Sequence, residues 1–117
     1  MREKFNVVQQ LAVDAASEKK AFDILILDLR NRSDLTDSFM ICSANSKVQA
    51  QSIVDSILEK CQLSKIKSLG VEGYSGGYWI VVDLGDLIAH IFHKEARCHY
   101  DLERLWGDVP IIKAVGE

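Results

Sequence analysis

Phe5, Val8, Leu11, Ala12, Ala15 and Ala16 recur at helical spacing, so residues 3 to 20 predict an amphipathic helix. Lys19 and Lys20 in its last turn suit the negative end of the helix dipole. Phe22 to Leu29 is short, rich in β-formers and almost continuously apolar, the pattern of a strand covered on both faces. A polar break, Asn31-Arg32-Ser33-Asp34, separates it from a second strand over Ser38 to Ser43. Ser46 and Gln49 have the spacing of a capping box. Ala50, Ile53, Val54, Ile57, Leu58 and Cys61 then form one stripe of a helix that ends near Gln62.

Beyond that helix the period shortens. Ile66 and Leu69 anchor a short strand within Lys65 to Val71, and Glu72-Gly73-Tyr74-Ser75-Gly76-Gly77 has loop composition. Tyr78 to Asp83 and Asp86 to His93 are two strands joined by a tight turn at Leu84-Gly85. From Lys94 the pattern predicts one or two short helices that end before Val109-Pro110. The order is helix, strand, strand, helix, then three strands and a helix. It predicts an α/β fold, a mixed sheet of about five strands flanked by helices, as one domain over residues 1 to 117. The helix between the second and third strands permits a right-handed crossover if those strands are parallel.

A two-residue turn at Leu84-Gly85 pairs Asp83 with Asp86, Val81 with Ile88 and Trp79 with His90. One hairpin face is then wholly apolar: Ile80, Val82, Leu87, Ala89 and Ile91. The other carries Trp79, Val81, Asp83, Asp86, Ile88, His90 and Phe92, a mixture of aromatic and polar groups. Such a face suits a protein-binding patch, because aromatics bring contact area at little entropic cost and charges fix orientation. It also suits a second layer covered by helices, in which His90 is a satisfied buried histidine.

Composition narrows the function. A formal charge of −3 argues against a general nucleic-acid binder and leaves room for a basic protein partner, which a mildly acidic surface suits. Cys42, Cys61 and Cys98 are odd in number and widely spaced, which suits small, reduced, buried side chains. Met1-Arg2-Glu3-Lys4-Phe5 has no secretory h-region, and no apolar run reaches membrane-spanning length, so the expected location is the cytoplasm.

Candidate chemistry is sparse. Asp83, Asp86 and His90 do not form a metal site in this register, since His90 lies roughly a dozen Å from Asp83. Cys42 has no nucleophile motif around it, and Ser75-Gly76-Gly77 precedes a strand where a phosphate loop precedes a helix. No cofactor and no metal is expected. The tail is denser in interface residue types: Arg97, Tyr100, Leu102, Glu103, Leu105 and Trp106. Leu105 and Trp106 read as closing the core, whereas Tyr100 and Glu103, three apart, share one helix face.

Three blocks together resemble a known family. They are Thr36-Asp37-Ser38-Phe39-Met40-Ile41-Cys42-Ser43-Ala44-Asn45-Ser46; Glu72-Gly73 with Trp79 to Asp86 and His90-Ile91-Phe92; and Arg97, Tyr100-Asp101-Leu102-Glu103 with Leu105-Trp106-Gly107-Asp108. The chain is thereby similar, over roughly residues 5 to 112, to the ribosomal silencing factor (iojap-like) family. The resemblance implies a nucleotidyltransferase-like fold without the catalytic residues. It also implies binding to the large ribosomal subunit through ribosomal protein L-fourteen. Small-subunit joining would then be blocked sterically and translation repressed under nutrient limitation. Family members are often homodimers when free.

A nucleotidyltransferase needs a Gly-Ser pair opening a helix and two alternating metal-binding carboxylates on a strand. Ala44-Asn45-Ser46 has no glycine, and Asp83 and Asp86 flank a turn. The expectation is therefore a protein that is not an enzyme. Its expected partner-binding residues are Trp79, Val81, His90, Arg97, Tyr100, Leu102 and Glu103. No membrane contact and no direct sequence-specific nucleic-acid contact are expected. Two other readings stay open: a divergent nucleotidyltransferase, and a dimeric interaction module with a non-ribosomal partner.

Overall fold

The computed structural model describes residues 5–31, 33–99 and 109–113. Its elements are α1 (Val7–Glu18), β1 (Phe22–Asp28), β2 (Ser38–Ala44), α2 (Lys47–Leu63), β3 (Gly70–Glu72), β4 (Trp79–Asp83), β5 (Leu87–His93), α3 (Lys94–His99) and β6 (Ile111–Lys113). The sheet has six strands in the order β3-β4-β5-β2-β1-β6. β2 and β5 are parallel, and every other pair is antiparallel. The mixed sheet thus has one strand more than the periodicity predicts. β6 follows Pro110 and has only three residues, too few to show alternation, and it forms by pairing Ile111 and Ile112 with Leu27 and Ile26.

Helix boundaries follow their caps. α1 begins after Asn6, not at residue 3. Asn6 Oδ1 accepts from the Gln9 N–H at 2.8 Å, and Gln9 Oε1 accepts from the Asn6 N–H at 3.0 Å. This reciprocal pair is a full capping box. α2 has half of the box expected at Ser46. Ser46 Oγ accepts from the Gln49 N–H, but the Gln49 side chain turns elsewhere. Its Oε1 accepts from the Asn45 N–H at 2.6 Å, and its Nε2 donates to the carbonyls of Lys19 and Lys20. One side chain therefore ties the end of α1 to the start of α2. Lys19 is the C-cap of α1, and Lys20 lies beyond it at φ 66°.

The hairpin turn is centred one residue later than the alternation predicts. The Leu84 N–H donates to the Leu87 carbonyl at 2.8 Å, leaving Gly85 and Asp86 as the turn. Gly85 takes φ 88° at the first central position, where a hairpin turn favours glycine. The Asp83 carboxylate accepts from the Gly85 N–H and braces the corner. Asp83 consequently pairs with Ile88, Val81 with His90 and Trp79 with Phe92. The pairing moves by two positions, so both faces keep their residues. β3 is also shorter than expected, because Ile66 and Leu69 precede it and only Gly70–Glu72 joins the ladder.

Two apolar layers sandwich the sheet. α1 and α2 pack one face with Ala12, Ala16, Ile53 and Ile57 over Ile26, Met40, Ile80 and Ile91. The opposite face holds Leu27, Phe39, Ile41, Ile88 and Phe92, packed with Ala96 of α3 and with Val109. Burial on both sides explains the continuous apolar runs of β2 and β5. Cys42 and Cys61 fill the helical side as small buried groups, and burial pushes the Cys61 thiol up.

Candidate docking face

The face opposite α1 and α2 collects the mixed side chains of the hairpin. Trp79 and Val81 on β4 are half-buried, while His90 on β5 is only 7% exposed. His90, expected to contact a partner, thus sits inside the second apolar layer. It supports its neighbours. The Trp79 Nε1–H donates to His90 Nδ1 at 3.1 Å, and the Phe39 ring meets the imidazole edge-on at 4.5 Å. Trp79 also stacks on Phe92 at 5.1 Å. The result is an aromatic block with a partly open Trp79 edge.

The hydrogen bond fixes the tautomer: Nδ1 accepts, so the imidazole proton is on Nε2. Among the described residues, Nε2 has no hydrogen-bond partner. Burial pushes the His90 pKa down to about 4, because the charged imidazolium is poorly solvated there. The ring is neutral near pH 7 and acts as an acceptor for the indole.

Arg97 extends from α3 across the sheet end. Its Nη1 donates to the Asp23 carbonyl at 2.7 Å and to Ser43 Oγ at 2.8 Å. A half-buried guanidinium thus pins α3 to β1 and β2. The structure brings Trp79, Val81, His90 and Arg97 to one side of the sheet. Tyr100, Leu102 and Glu103 lie outside the described residues. Sequence pattern placed Phe92 on the mixed face with Trp79 and His90 but missed Phe39, which read only as a strand residue and meets the imidazole across the β2–β5 ladder.

The Asp83 carboxylate is engaged by the turn, and Asp86 is exposed within it. Among the described residues, no cluster of three or more His, Cys, Asp or Glu side chains could hold a metal ion. Among the same residues, no helix is long and apolar enough to cross a membrane.

The model for "Ribosomal silencing factor during starvation" matches residues 2–116. The chain belongs to the ribosomal silencing factor family. It is 40% identical over 107 residues to a ribosomal silencing factor of Halalkalibacterium halodurans, covering 92% of each chain. It is similar to the crystal structure of a Chromobacterium violaceum protein with a TM-score of 0.84 and 30% identity, covering 93% of this chain and 91% of that one. A fainter likeness, 27% over 106 residues, reaches the mouse protein named mitochondrial assembly of ribosomal large subunit protein 1, covering 88% of this chain and 46% of that one. The family is one of translation regulators associated with the ribosome, and the match places this chain among them.

Proposed function

We propose that this protein docks on the large ribosomal subunit through ribosomal protein L-fourteen and keeps the small subunit from joining. Translation would fall accordingly, above all when nutrients are short. The observation that carries this reading is the family match across residues 2–116. The large subunit in the name of the mouse relative supports the choice of subunit.

The docking surface is the open edge of the aromatic block together with the C-terminal tail. Trp79 and Val81 supply apolar contact, with His90 holding the indole from beneath. Arg97, Tyr100, Leu102 and Glu103 complete the patch, and Glu103 meets basic groups of the ribosomal protein. Occupancy alone prevents the subunits from meeting, so no covalent step and no cofactor is required. The protein acts in the cytoplasm, and when free it forms a homodimer.

Cosedimentation with purified large subunits tests the patch. Tyr100→Ala and Trp79→Ala should each weaken binding by roughly 30-fold, the loss expected of an aromatic anchor worth about 2 kcal/mol. Light scattering of mixed subunits should show that the wild-type protein slows their association. Undiminished binding of both folded variants would refute this patch. Unfolding by Trp79→Ala alone would assign Trp79 to the core, leaving Tyr100→Ala to decide.

A further inference from the structure

The end of the sheet where β2 and β5 finish side by side, at Ala44 and His93, gathers cations from three separate segments. Lys19 and Lys20 are drawn there because their carbonyls accept from Gln49 Nε2 at 2.9 and 3.0 Å. Lys47 opens α2 and packs its side-chain stem against Gly77, where an added Cβ would collide with it. Lys94 follows His93, and Arg97 is anchored on Asp23 and Ser43. All four lysines are exposed, and none forms an ion pair among the described residues.

Among the described residues, few carboxylates offset these charges. Asp23 and Glu95 share this end, and Glu72 stands further out along β3. Glu18 is held by Lys60 at 2.8 Å, and Asp55 accepts from the Tyr74 hydroxyl at 2.9 Å. In a chain of formal charge −3, the described residues therefore present one locally positive end. Tyr78 lies in its middle, 47% exposed, with its ring stacked on His93 at 5.8 Å and 21°. The Tyr78 carbonyl accepts from the His93 N–H at 2.9 Å, so the platform is backed by the sheet ladder.

We infer that this end is a second contact to the large subunit, one that takes RNA: phosphates on Lys20, Lys47 and Lys94, and an unpaired base on the open face of Tyr78. The inference rests on the large-subunit docking proposed above and adds a second class of partner to it. A planar ring flanked by cations on flexible stems is how sequence-tolerant single-stranded sites are built. An acidic protein would need the cations but would have no use for the supported stack. Contact through phosphates and stacking reads no sequence.

The test compares the wild-type protein with a Lys20→Gln/Lys47→Gln/Lys94→Gln variant and with Tyr78→Ala, by cosedimentation with large subunits across a salt series. The triple variant should bind at least tenfold more weakly at low salt, with a log–log salt slope shallower by about three. Ultraviolet irradiation of the wild-type complex should crosslink the peptide containing Tyr78 to ribosomal RNA. Unchanged affinity and slope in both variants, while the wild type still sediments with the subunit, would overturn the RNA contact and leave the docking proposal standing. If these lysines instead crosslink by carbodiimide to carboxylates of a ribosomal protein, and no RNA adduct forms, the partner is protein and the inference fails. If the wild-type protein does not sediment at all, the docking proposal falls. Ultraviolet crosslinking to isolated large-subunit RNA then decides this one alone.

Discussion

Trp79 donates its indole proton to His90 at 3.1 Å although the ladder pairs Trp79 with Phe92 and His90 with Val81. The bond is diagonal, from one strand to the residue two positions back on its neighbour, a reach open to large side chains. It joins a buried imidazole to a half-open indole.

Burial of this imidazole makes the fold sensitive to acid. The His90 pKa of about 4 lies below the value of about 6.5 for an unfolded chain. Between those values the unfolded state binds the extra proton. The stability contribution is thus complete above about pH 6.5 and is lost as pH falls toward 4, by up to about 3 kcal/mol. Urea unfolding at about pH 7 and about pH 4.5 should show that loss. His90→Phe should flatten the profile while costing about 1 kcal/mol near neutrality, because the Trp79 N–H loses its acceptor. An unchanged pH slope in the variant would remove His90 as the cause.

Two glycines of one loop should respond differently to alanine. Gly73 adopts φ 81°, and a Cβ there would collide with the Trp79 backbone carbonyl. Gly76 has ordinary φ, and its nearest neighbour would be the Gly73 carbonyl at 3.8 Å. Gly73→Ala should cost about 2 kcal/mol or more, and Gly76→Ala should stay within about 0.5 kcal/mol of wild type. Thermal melts of the two variants check the contrast.

Gln49→Ala should destabilise the domain by about 1 to 2 kcal/mol. It removes an acceptor for Asn45 N–H and the donor shared by the Lys19 and Lys20 carbonyls. Hydrogen exchange should rise at the α2 N-terminus and at the α1 C-cap together, since one side chain serves both. Faster exchange at only one of them would refute the linkage.

Ile91 is fully buried at the centre of β5, between its partners Cys42 and Ile80. Ile91→Ala should cost about 2 to 5 kcal/mol through lost transfer energy and a cavity. Leu63→Ala should cost little, because Leu63 at the end of α2 is 79% exposed. Denaturant titration separates the two.

Chain pattern alone determined the order of elements, the stripes of α1 and α2 that face the sheet, and the division of hairpin residues between two faces. These rest on periods of 3.6 and 2, which survive a shift of pairing by two positions. Three blocks spread over the chain likewise sufficed to point to the family. Tertiary structure alone decided that Gly85-Asp86 is the turn, that β6 joins β1, and that His90 is buried while Trp79 keeps an open edge. Each depends on contacts between segments distant in sequence, and a residue's accessibility follows from what is laid over it. Net charge gave a mildly acidic protein, but only folding gathers Lys19, Lys20, Lys47 and Lys94 at one sheet end. Electrostatic potential is set by distances in space, and those distances are absent from a sum over residues.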